Sequence, residues 1–328
     1  MIVTRTPFRV PLGGGGTDLP SFYSRYGGFI VSAAINRYVY IMVNRRFEDS
    51  LRVSYSQTEI VDGAGQVEHP IVREALKFVG IDRNLEIVSI ADLPANTGLG
   101  SSCSFTVGLL NALHTLKREH ASLDELAEEA CHIEIDRLGE PIGKQDQYLA
   151  AFGGITCLEI DREGGVRTSP LAVPEGVVQE LENNTMVFYT GIQRSASEVL
   201  RGQSEAVEEG DSKVTQALQV IKEIGRQIKG ALERGELDQF GWLLDQHWQV
   251  KKTLSGKVSS DQIDRWYETG KAHGALGGKV MGAGGGGFFM FYCPNGSKGR
   301  LREAMVAEGL KELRLGIDFE GSKVLVNF

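Results

Sequence analysis

Three clusters of glycine constrain the fold of this chain more than any other feature of its sequence. They are Gly13–Gly16, Gly98-Leu99-Gly100, and Gly282 with Gly284–Gly287. Glycine adopts positive φ without strain and lets the backbone approach a ligand closely, because it has no Cβ. One such cluster is most often a tight turn. Three clusters set between strand and helix patterns predict three loops that converge on one polyanionic ligand.

The apolar residues predict strands and helices on either side of these loops. Strands are predicted over residues 2–10, 29–43, 85–90, 155–160, 186–189, 288–292 and 323–328. Helices are predicted over residues 105–116, 214–233, 237–254, 262–273 and 301–311. A capping box at Ser122 and Glu125 opens one more helix, which runs toward Glu134. The length suits two domains, and we place their boundary within 161–185, dividing the chain into residues 1–170 and 171–328.

Charge and cysteine content exclude several classes of protein. The net charge of −8 has the wrong sign for a protein that coats nucleic acid or an anionic membrane, so a phosphate-bearing ligand must be attracted by a local site. The scattered Cys103, Cys131, Cys157 and Cys293 are typical of buried thiols in a reducing compartment. The first residues lack a signal-peptide pattern, and no apolar run approaches the roughly 18 residues that span a bilayer. We therefore expect a cytoplasmic protein, and the sequence leaves a homo-oligomer open.

The second glycine cluster has the local pattern of an anion site. A predicted strand leads through Pro94 into Gly98 and Gly100, and a predicted helix follows at once. Free N–H groups and the positive end of the helix dipole would face the loop. Ser101 and Ser102 add hydroxyls for a phosphate oxygen or a hydrated Mg²⁺. The loop lacks the G-K-[ST] ending of a Walker A motif and the third glycine of a Rossmann motif. A serine N-cap without any ligand is the alternative.

The string from Pro94 to Ser102 resembles the nucleotide-binding motif of the galactokinase–homoserine kinase–mevalonate kinase–phosphomevalonate kinase (GHMP) family. Thr6–Asp18 and Lys279–Gly287 resemble the other two motifs of that family, in the expected order. Together the three motifs span nearly the whole chain. The resemblance implies a two-domain α+β fold, with a ribosomal-protein-S5-like domain over 1–170 and a ferredoxin-like domain over 171–328. ATP and a small-molecule substrate would lie in the cleft between them.

The resemblance also implies residues for ATP and Mg²⁺. The ATP-binding residues would be Pro94, Asn96, Gly98, Leu99, Gly100, Ser101 and Ser102, with Gly284 and Gly285 of the third cluster. Ser102 and Glu134 would hold Mg²⁺, which usually takes one or two protein oxygens and completes its shell with phosphates and water. Without the resemblance, Glu134 would be interpreted as a solvated helix carboxylate.

Phosphoryl transfer needs positioning, neutralisation of charge and often a base near the attacking hydroxyl. The family resemblance places that base at Asp146, in the string Gly143–Tyr148. Arg9 would keep Asp146 ionised and steady the transferring phosphoryl group. Homoserine kinases lack this aspartate, and mevalonate kinases carry lysine where this chain has Arg9. The pair therefore favours a sugar substrate over an isoprenoid or amino-acid alcohol.

The strings around Asp18 and Asp146 narrow the substrate further. The predicted substrate-binding residues are Gly15, Gly16, Thr17, Asp18, Lys144, Gln145 and Arg194. The galactokinase string G-E-H-T-D is replaced here by Gly14–Asp18, which argues against galactose. The longer strings resemble bacterial heptose kinases, which phosphorylate the anomeric hydroxyl of D-glycero-D-manno-heptose 7-phosphate. Fucokinase domains are the nearest alternative. Arg194, with Ser195 and Ser197 beside it, either binds the substrate phosphate or belongs to a helix cap.

Other residues have simpler interpretations. The six histidines show no paired ligand spacing, so zinc is not expected. We predict that His247 and Trp248 serve for packing. A non-catalytic sensor that binds ATP and sugar is the alternative from another functional class, and such a protein would not need to keep both Arg9 and Asp146.

Overall fold

The computed structural model of the chain describes residues 1–193 and 196–328. Its strands are β1 (Ile2–Gly13), β2 (Gly28–Arg45), β3 (Leu51–Ser54), β4 (Thr58–Val61), β5 (Leu85–Ala91), β6 (Ile155–Ile160), β7 (Val166–Pro170), β8 (Thr185–Tyr189), β9 (Gly277–Val280), β10 (Phe288–Tyr292), β11 (Lys311–Leu313) and β12 (Lys323–Asn327). Its helices are α1 (Pro20–Tyr26), α2 (Pro70–Val79), α3 (Ser101–Lys117), α4 (Leu123–Cys131), α5 (Gln145–Phe152), α6 (Glu175–Asn184), α7 (Ala196–Glu208), α8 (Ser212–Arg234), α9 (Leu237–Lys252), α10 (Asp261–Ala272) and α11 (Lys298–Ala307). A π-helix follows α4 over His132–Arg137.

The first sheet is organised around the long antiparallel pair β1 and β2. β2 spans 18 residues, so its first part pairs with β6 and its second part with β5. The other edge of β1 pairs with β12, and the path through the sheet runs β12-β1-β2-β5-β3-β4. Helices α3 and α5 pack against β1 and β2, and α8 also packs against both strands. Because helices cover it, β1 is buried along most of its length.

The second sheet is antiparallel and has the order β11-β8-β10-β9. A strand, helices, two strands, a helix and a last strand in this arrangement form the split β-α-β plan of ferredoxin-like domains. The predicted buried strand at 288–292 is confirmed, since all five residues of β10 are buried. Phe289 and Phe291 pack against Tyr267, and Phe289 also contacts Trp248.

The predicted α+β class is confirmed, and two details of the prediction change. The helix predicted to run toward Glu134 ends at Cys131, and the wider turns of the π-helix carry Glu134 instead. Such π-helical turns occur often at functional sites. The capping box of Ser122 and Glu125 is confirmed by both of its hydrogen bonds. The last strand, β12, returns to the first sheet, although it lies within 171–328. The domain boundary itself stays a prediction.

The two sheets share one continuous apolar core. It contains residues of the first sheet, of α8 and of β10. This shared packing fixes the first residues of α3 and α5 opposite α9 and β9, across a cleft. The four cysteines are buried and unpaired. Within the described residues, no helix combines the length and apolar character that a membrane span requires.

Candidate active site

The three glycine clusters converge on one cleft, as the sequence predicts. The cleft also receives the first turns of α3 and α5, and its far wall is formed by α9 and β9. Its principal lining residues are Arg9, Gly15, Gly16, Asp18, Asn96, Gly98, Gly100, Ser101, Ser102, Gln145, Asp146, Gln203, His247, Lys251, Lys279, Gly282 and Ala283.

The second and third glycine clusters are in contact with each other. Gly98 and Gly282 have φ of 80° and 63°. A Cβ on Gly282 would lie 2.8 Å from the Cα of Gly98, and one on Gly98 would lie 2.9 Å from the carbonyl oxygen of Met281. Side chains cannot occupy that space, so part of the glycine requirement comes from packing between the loops.

Two residues predicted to bind ATP lie beside the cleft lining. Gly284 packs on Val258, and the N–H of Gly285 donates to the carbonyl of Val258 at 2.8 Å. Gly282 and Ala283 line the cleft in their place. The assignment of Gly284 and Gly285 to ATP therefore stays a prediction.

The loop before α3 has the geometry of an anion site. Gly100 occupies the N-cap position, and it has no side chain that could cap the first N–H groups of α3. The alternative of a serine N-cap is wrong, because Ser101 and Ser102 are the first two helical residues. Both serines line the cleft beside the free N–H groups.

Pro94 and Leu99 shape this loop from behind. The Pro94 carbonyl accepts a hydrogen bond from the Thr97 hydroxyl at 3.0 Å, and the Leu99 side chain is buried in the core. These two residues therefore support the loop, whereas Asn96, Gly98 and Gly100 line the cleft.

Arg9 and Asp146 form the predicted pair. Nε of Arg9 donates to Oδ1 of Asp146 at 2.6 Å, and Nη2 donates to Oδ2 at 2.5 Å. The remaining Nη1 donates to the carbonyl of Gly98 at 2.6 Å. Arg9 is 5% exposed and is held by β1, while Asp146 lies in the first turn of α5. The bidentate geometry fixes the carboxylate at the edge of the phosphate-binding loop.

Glu134 is a buried carboxylate next to Ser102. It accepts a hydrogen bond from Nε2 of Gln147 at 3.1 Å. Burial raises the pKa of Glu134 to about 7, although hydrogen bonds with Ser102 and Cys103 oppose that effect. Among the described residues no basic group pairs with this buried carboxylate, which suits a bound cation, so Ser102 and Glu134 fit the predicted Mg²⁺ site. Within the described residues, no cluster of three or more His, Cys, Asp or Glu side chains is placed to hold a metal.

Asp18 lies at the N-terminus of α5, on the same side of the cleft as Asp146. Its carboxylate accepts from the N–H of Gln145 and the N–H of Gly16, both at 3.1 Å. Burial raises the pKa of Asp18, and the nearby charge of Asp146 adds to this. Gly143 makes room for the carboxylate, since a Cβ there would lie 2.0 Å from Oδ2 of Asp18.

The structure does not bring two other predicted residues, Thr17 and Lys144, into the cleft, and a third predicted residue cannot be placed. The hydroxyl of buried Thr17 donates to the carbonyls of Gly14 and Phe29 and so braces the turn. Nζ of Lys144 contacts the carboxylate of Glu128 at 2.9 Å and points away from the cleft lining. Arg194 lies outside the described residues.

Two lysines, a histidine and a glutamine of the cleft were not assigned to the site from the sequence. His247, which we predicted to serve for packing, lines the cleft together with Lys251, one turn later on α9. Lys279 enters from β9, and Gln203 enters from α7. The spacing of His247 and Lys251 places both on one helix face, and Lys279 opens the third family motif. These signals could have indicated the site.

Comparison with known proteins shows to which family this chain belongs. The family model of the GHMP kinases N terminal domain matches residues 51–154, and that of the GHMP kinases C terminal domain matches residues 228–311. The D-glycero-alpha-D-manno-heptose 7-phosphate kinase of Campylobacter jejuni is 31% identical over 319 residues, which cover 94% of each chain. This chain belongs to the GHMP kinase family.

Two further relatives of this GHMP kinase are informative. A bifunctional fucokinase/GDP-fucose pyrophosphorylase of Arabidopsis thaliana is 24% identical over 90% of this chain and 30% of its own length. The crystal structure of a D-glycero-D-manno-heptose 1-phosphate kinase from Bacteroides thetaiotaomicron covers 100% of both chains with a TM-score of 0.83 and 24% identity. That likeness confirms the predicted two-domain fold. The chain is thus an ATP-dependent sugar kinase, and members of its family use ATP with Mg²⁺.

Replacing Gly143 by alanine should disturb the side of the cleft near Asp18, where we predict that the sugar binds, more than the phosphate-binding loop. The added Cβ would lie 2.8 Å from the backbone carbonyl of Asp18 and closer still to Oδ2, the atom that accepts from the N–H of Gln145. The carboxylate must therefore move, and it loses its contact with Gln145. We expect the KM for the sugar to rise about tenfold, as loss of a charged hydrogen bond would give, with little change in the KM for ATP. Steady-state kinetics measure both.

The matched control for this variant is Gly65→Ala, where a Cβ meets nothing within 4 Å. Equal increases in both KM values for Gly143→Ala would contradict a local effect on Asp18.

Glu134 should make the stability of the metal-free protein depend on pH. Its pKa in the folded chain, about 7, lies above the ordinary 4.5. The stability that this residue contributes is therefore fully present below about pH 4.5 and is lost as the pH rises through 7. Glu134→Gln removes that loss. The unfolding free energy of the variant minus that of the unmodified chain should therefore rise by about 1.4 kcal/mol per pH unit between about pH 4.5 and pH 7. Urea unfolding in EDTA measures the difference, and parallel pH curves for the two proteins would exclude the raised pKa.

Proposed function

We propose that this kinase transfers the γ-phosphoryl group of ATP to the anomeric hydroxyl of D-glycero-D-manno-heptose 7-phosphate, giving the 1,7-bisphosphate and ADP. The observation that carries the catalytic part is the bidentate Arg9–Asp146 pair beside the phosphate-binding loop. The choice of substrate is supported by the likeness to the Campylobacter jejuni kinase over 94% of both chains.

Asp146 orients the attacking hydroxyl in this mechanism. Each of its oxygens already accepts one hydrogen bond from Arg9, which leaves lone pairs for the hydroxyl proton. Asp146 accepts the hydroxyl proton as the new O–P bond forms and the bond to the ADP oxygen breaks. The proton ends on Asp146 and the phosphoryl group on the sugar.

Arg9 links the base to the phosphate-binding loop. Its Nη1 holds the carbonyl of Gly98 while the rest of the guanidinium holds Asp146. The distance between base and loop is therefore set by one rigid planar group. The N–H groups at the start of α3 would bind the phosphate oxygens of ATP. Ser102 and Glu134 would hold Mg²⁺, which neutralises charge on those oxygens when it is bound.

The sugar would lie on the Asp18 side of the cleft. Asp18 retains lone pairs for sugar hydroxyls beyond the two N–H groups that it already accepts from. Gln203 is 6% exposed, and its Nε2 has no hydrogen-bond partner among the described residues. A buried amide donor that lines the cleft is suited to a sugar hydroxyl.

A fucokinase-like activity is the second candidate, since the Arabidopsis thaliana fucokinase protein resembles 90% of this chain. A sensor without activity is disfavoured by the intact Arg9–Asp146 pair. The domain boundary, a homo-oligomer and a cytoplasmic location stay predictions.

A coupled ADP-release assay with a panel of sugars tests the substrate. The panel is heptose 7-phosphate, the free heptose, L-fucose, galactose and mannose. We expect heptose 7-phosphate to exceed the free heptose in kcat/KM by about a hundredfold or more, since one charge-assisted contact alone contributes about 1.5–3 kcal/mol. Phosphorus NMR of the product should show an anomeric phosphate. Preference for free L-fucose would contradict heptose 7-phosphate as the substrate and would favour a fucokinase activity.

Asp146→Asn should lower kcat by about two to four orders of magnitude, because the amide cannot accept the proton. ATP affinity should stay within about twofold, since Nη1 of Arg9 keeps its hydrogen bond to the carbonyl of Gly98 in this variant. Single-turnover rates and nucleotide titration measure the two effects. The control is Asp124→Asn, in the first turn of α4. A variant of Asp146 that keeps more than about a tenth of kcat would remove it from the role of base.

A further inference from the structure

The far wall of the cleft carries three basic side chains that the catalytic scheme leaves unused. His247 and Lys251 lie one turn apart on α9, and Lys279 lies on β9. Their exposed fractions are 1%, 8% and 1%, so all three are buried, and all three line the cleft that contains Arg9. We call this set the basic cluster.

The hydrogen bonds of the basic cluster leave donors free. Nζ of Lys251 donates to the carbonyls of Val280 at 3.1 Å and Gly282 at 2.5 Å. Nζ of Lys279 donates to the carbonyl of Leu12 at 3.0 Å. An ammonium group has three donors, so each lysine keeps at least one. Neither ring nitrogen of His247 has a hydrogen-bond partner among the described residues.

The described residues of the cleft offer this cluster no free counter-ion. Asp146 is taken up by Arg9 in a bidentate pair, and Asp18 accepts from two backbone N–H groups across the cleft. Within the part of the chain that the structure describes, neither Lys251 nor Lys279 forms a salt bridge. Buried cationic groups without an opposite charge are costly, and proteins keep them where a ligand supplies that charge.

The titration of these groups agrees with that account. Burial lowers the pKa of Lys251 to about 7, and the charge of Arg9 adds to the effect. Burial also lowers the pKa of Lys279 and that of His247, and the neighbouring lysines add to both shifts. Among the described residues that line the cleft, the other charged groups are Arg9, Asp146 and Asp18.

We propose that Lys251, Lys279 and His247 form a subsite for a phosphate dianion. The dianion supplies the missing counter-charge and accepts the free donors of both lysines and of the imidazole. Two ligands could bring this phosphate: the terminal phosphate of ATP, or the phosphate carried by the sugar. The second source rests on the proposed function, and the first does not.

Proton uptake by the unmodified enzyme tests the subsite directly. Lys251 has a pKa of about 7, so it is largely neutral near pH 8 and must gain a proton when the dianion binds. Calorimetry in buffers of different ionisation enthalpy should detect this uptake of about one proton. Two pairs of ligands isolate the phosphate: a non-hydrolysable ATP analogue against ADP, both with Mg²⁺, and heptose 7-phosphate against the free heptose. Using Mg²⁺ in both nucleotide titrations cancels any contribution of Glu134.

In the ligand pair whose phosphate binds the basic cluster, the phosphate-bearing ligand should cause more proton uptake than its partner. This difference shows which of the two sources supplies the phosphate. Equal uptake within both pairs would overturn the subsite. If heptose 7-phosphate fails to bind at all, the proposed substrate is wrong, while the nucleotide pair still decides whether the cluster binds a phosphate.

Charge-removing variants give a second test. Lys251→Met and Lys279→Met keep the length of the side chain, and Lys252→Met is the control, because Lys252 pairs with Asp264 outside the cleft. We expect each cluster variant to weaken the phosphate-bearing ligand about tenfold or more and to leave its phosphate-free partner unchanged. Lys252→Met should alter neither. Equal losses on both ligands of a pair would show that the lysines only support the loops and would overturn the proposal. The proton uptake of the unmodified enzyme decides the question if a variant does not fold.

Discussion

The guanidinium of Arg9 is the interaction on which the rest of the site depends. One planar group binds Asp146 through two donors and the carbonyl of Gly98 through a third, and its backbone N–H also donates to the carbonyl of Leu99. β1 thereby joins the first turn of α5 to the loop before α3. Rigid placement of base and phosphate loop relative to each other is what phosphoryl transfer requires of a protein, since little covalent chemistry is left to it.

The backbone supplies as much of this arrangement as the side chains do. Gly98 and Gly282 let two loops from opposite sides of the cleft touch, and Gly143 leaves space for the carboxylate of Asp18. A side chain at any of the three would separate elements that must converge. The many glycines of this chain therefore serve two ends, since some line a cleft for phosphate and others let the walls of that cleft approach each other.

Motifs and hydrophobic periodicity predicted the fold class, the Arg9–Asp146 pair and the convergence of the glycine loops, because each rests on local pattern or on a shared motif. They could not predict that Lys144 contacts Glu128, or that Thr17 braces a turn, since the direction of a side chain depends on tertiary packing. The place of His247 at the cleft was missed for a related reason. A histidine on an apolar helix face is usually packed in a core, and only the position of β9 shows that this one borders a cleft.

Burial brings the pKa of a carboxyl group beside Ser102 and that of an ammonium group in the far wall of the cleft close to 7. It raises the pKa of Glu134 to about 7 and lowers that of Lys251 to about 7. The carboxylate needs a cation to ionise cheaply, and the lysine needs an anion. A metal-bound phosphate would supply a cation for the carboxylate and an anion for the lysine, whereas a neutral ligand would supply neither. Near pH 7 each group is close to its pKa, so little free energy is required to ionise it when its partner arrives. An acidic protein can thus select a polyanionic ligand through two local environments, without an attractive net charge.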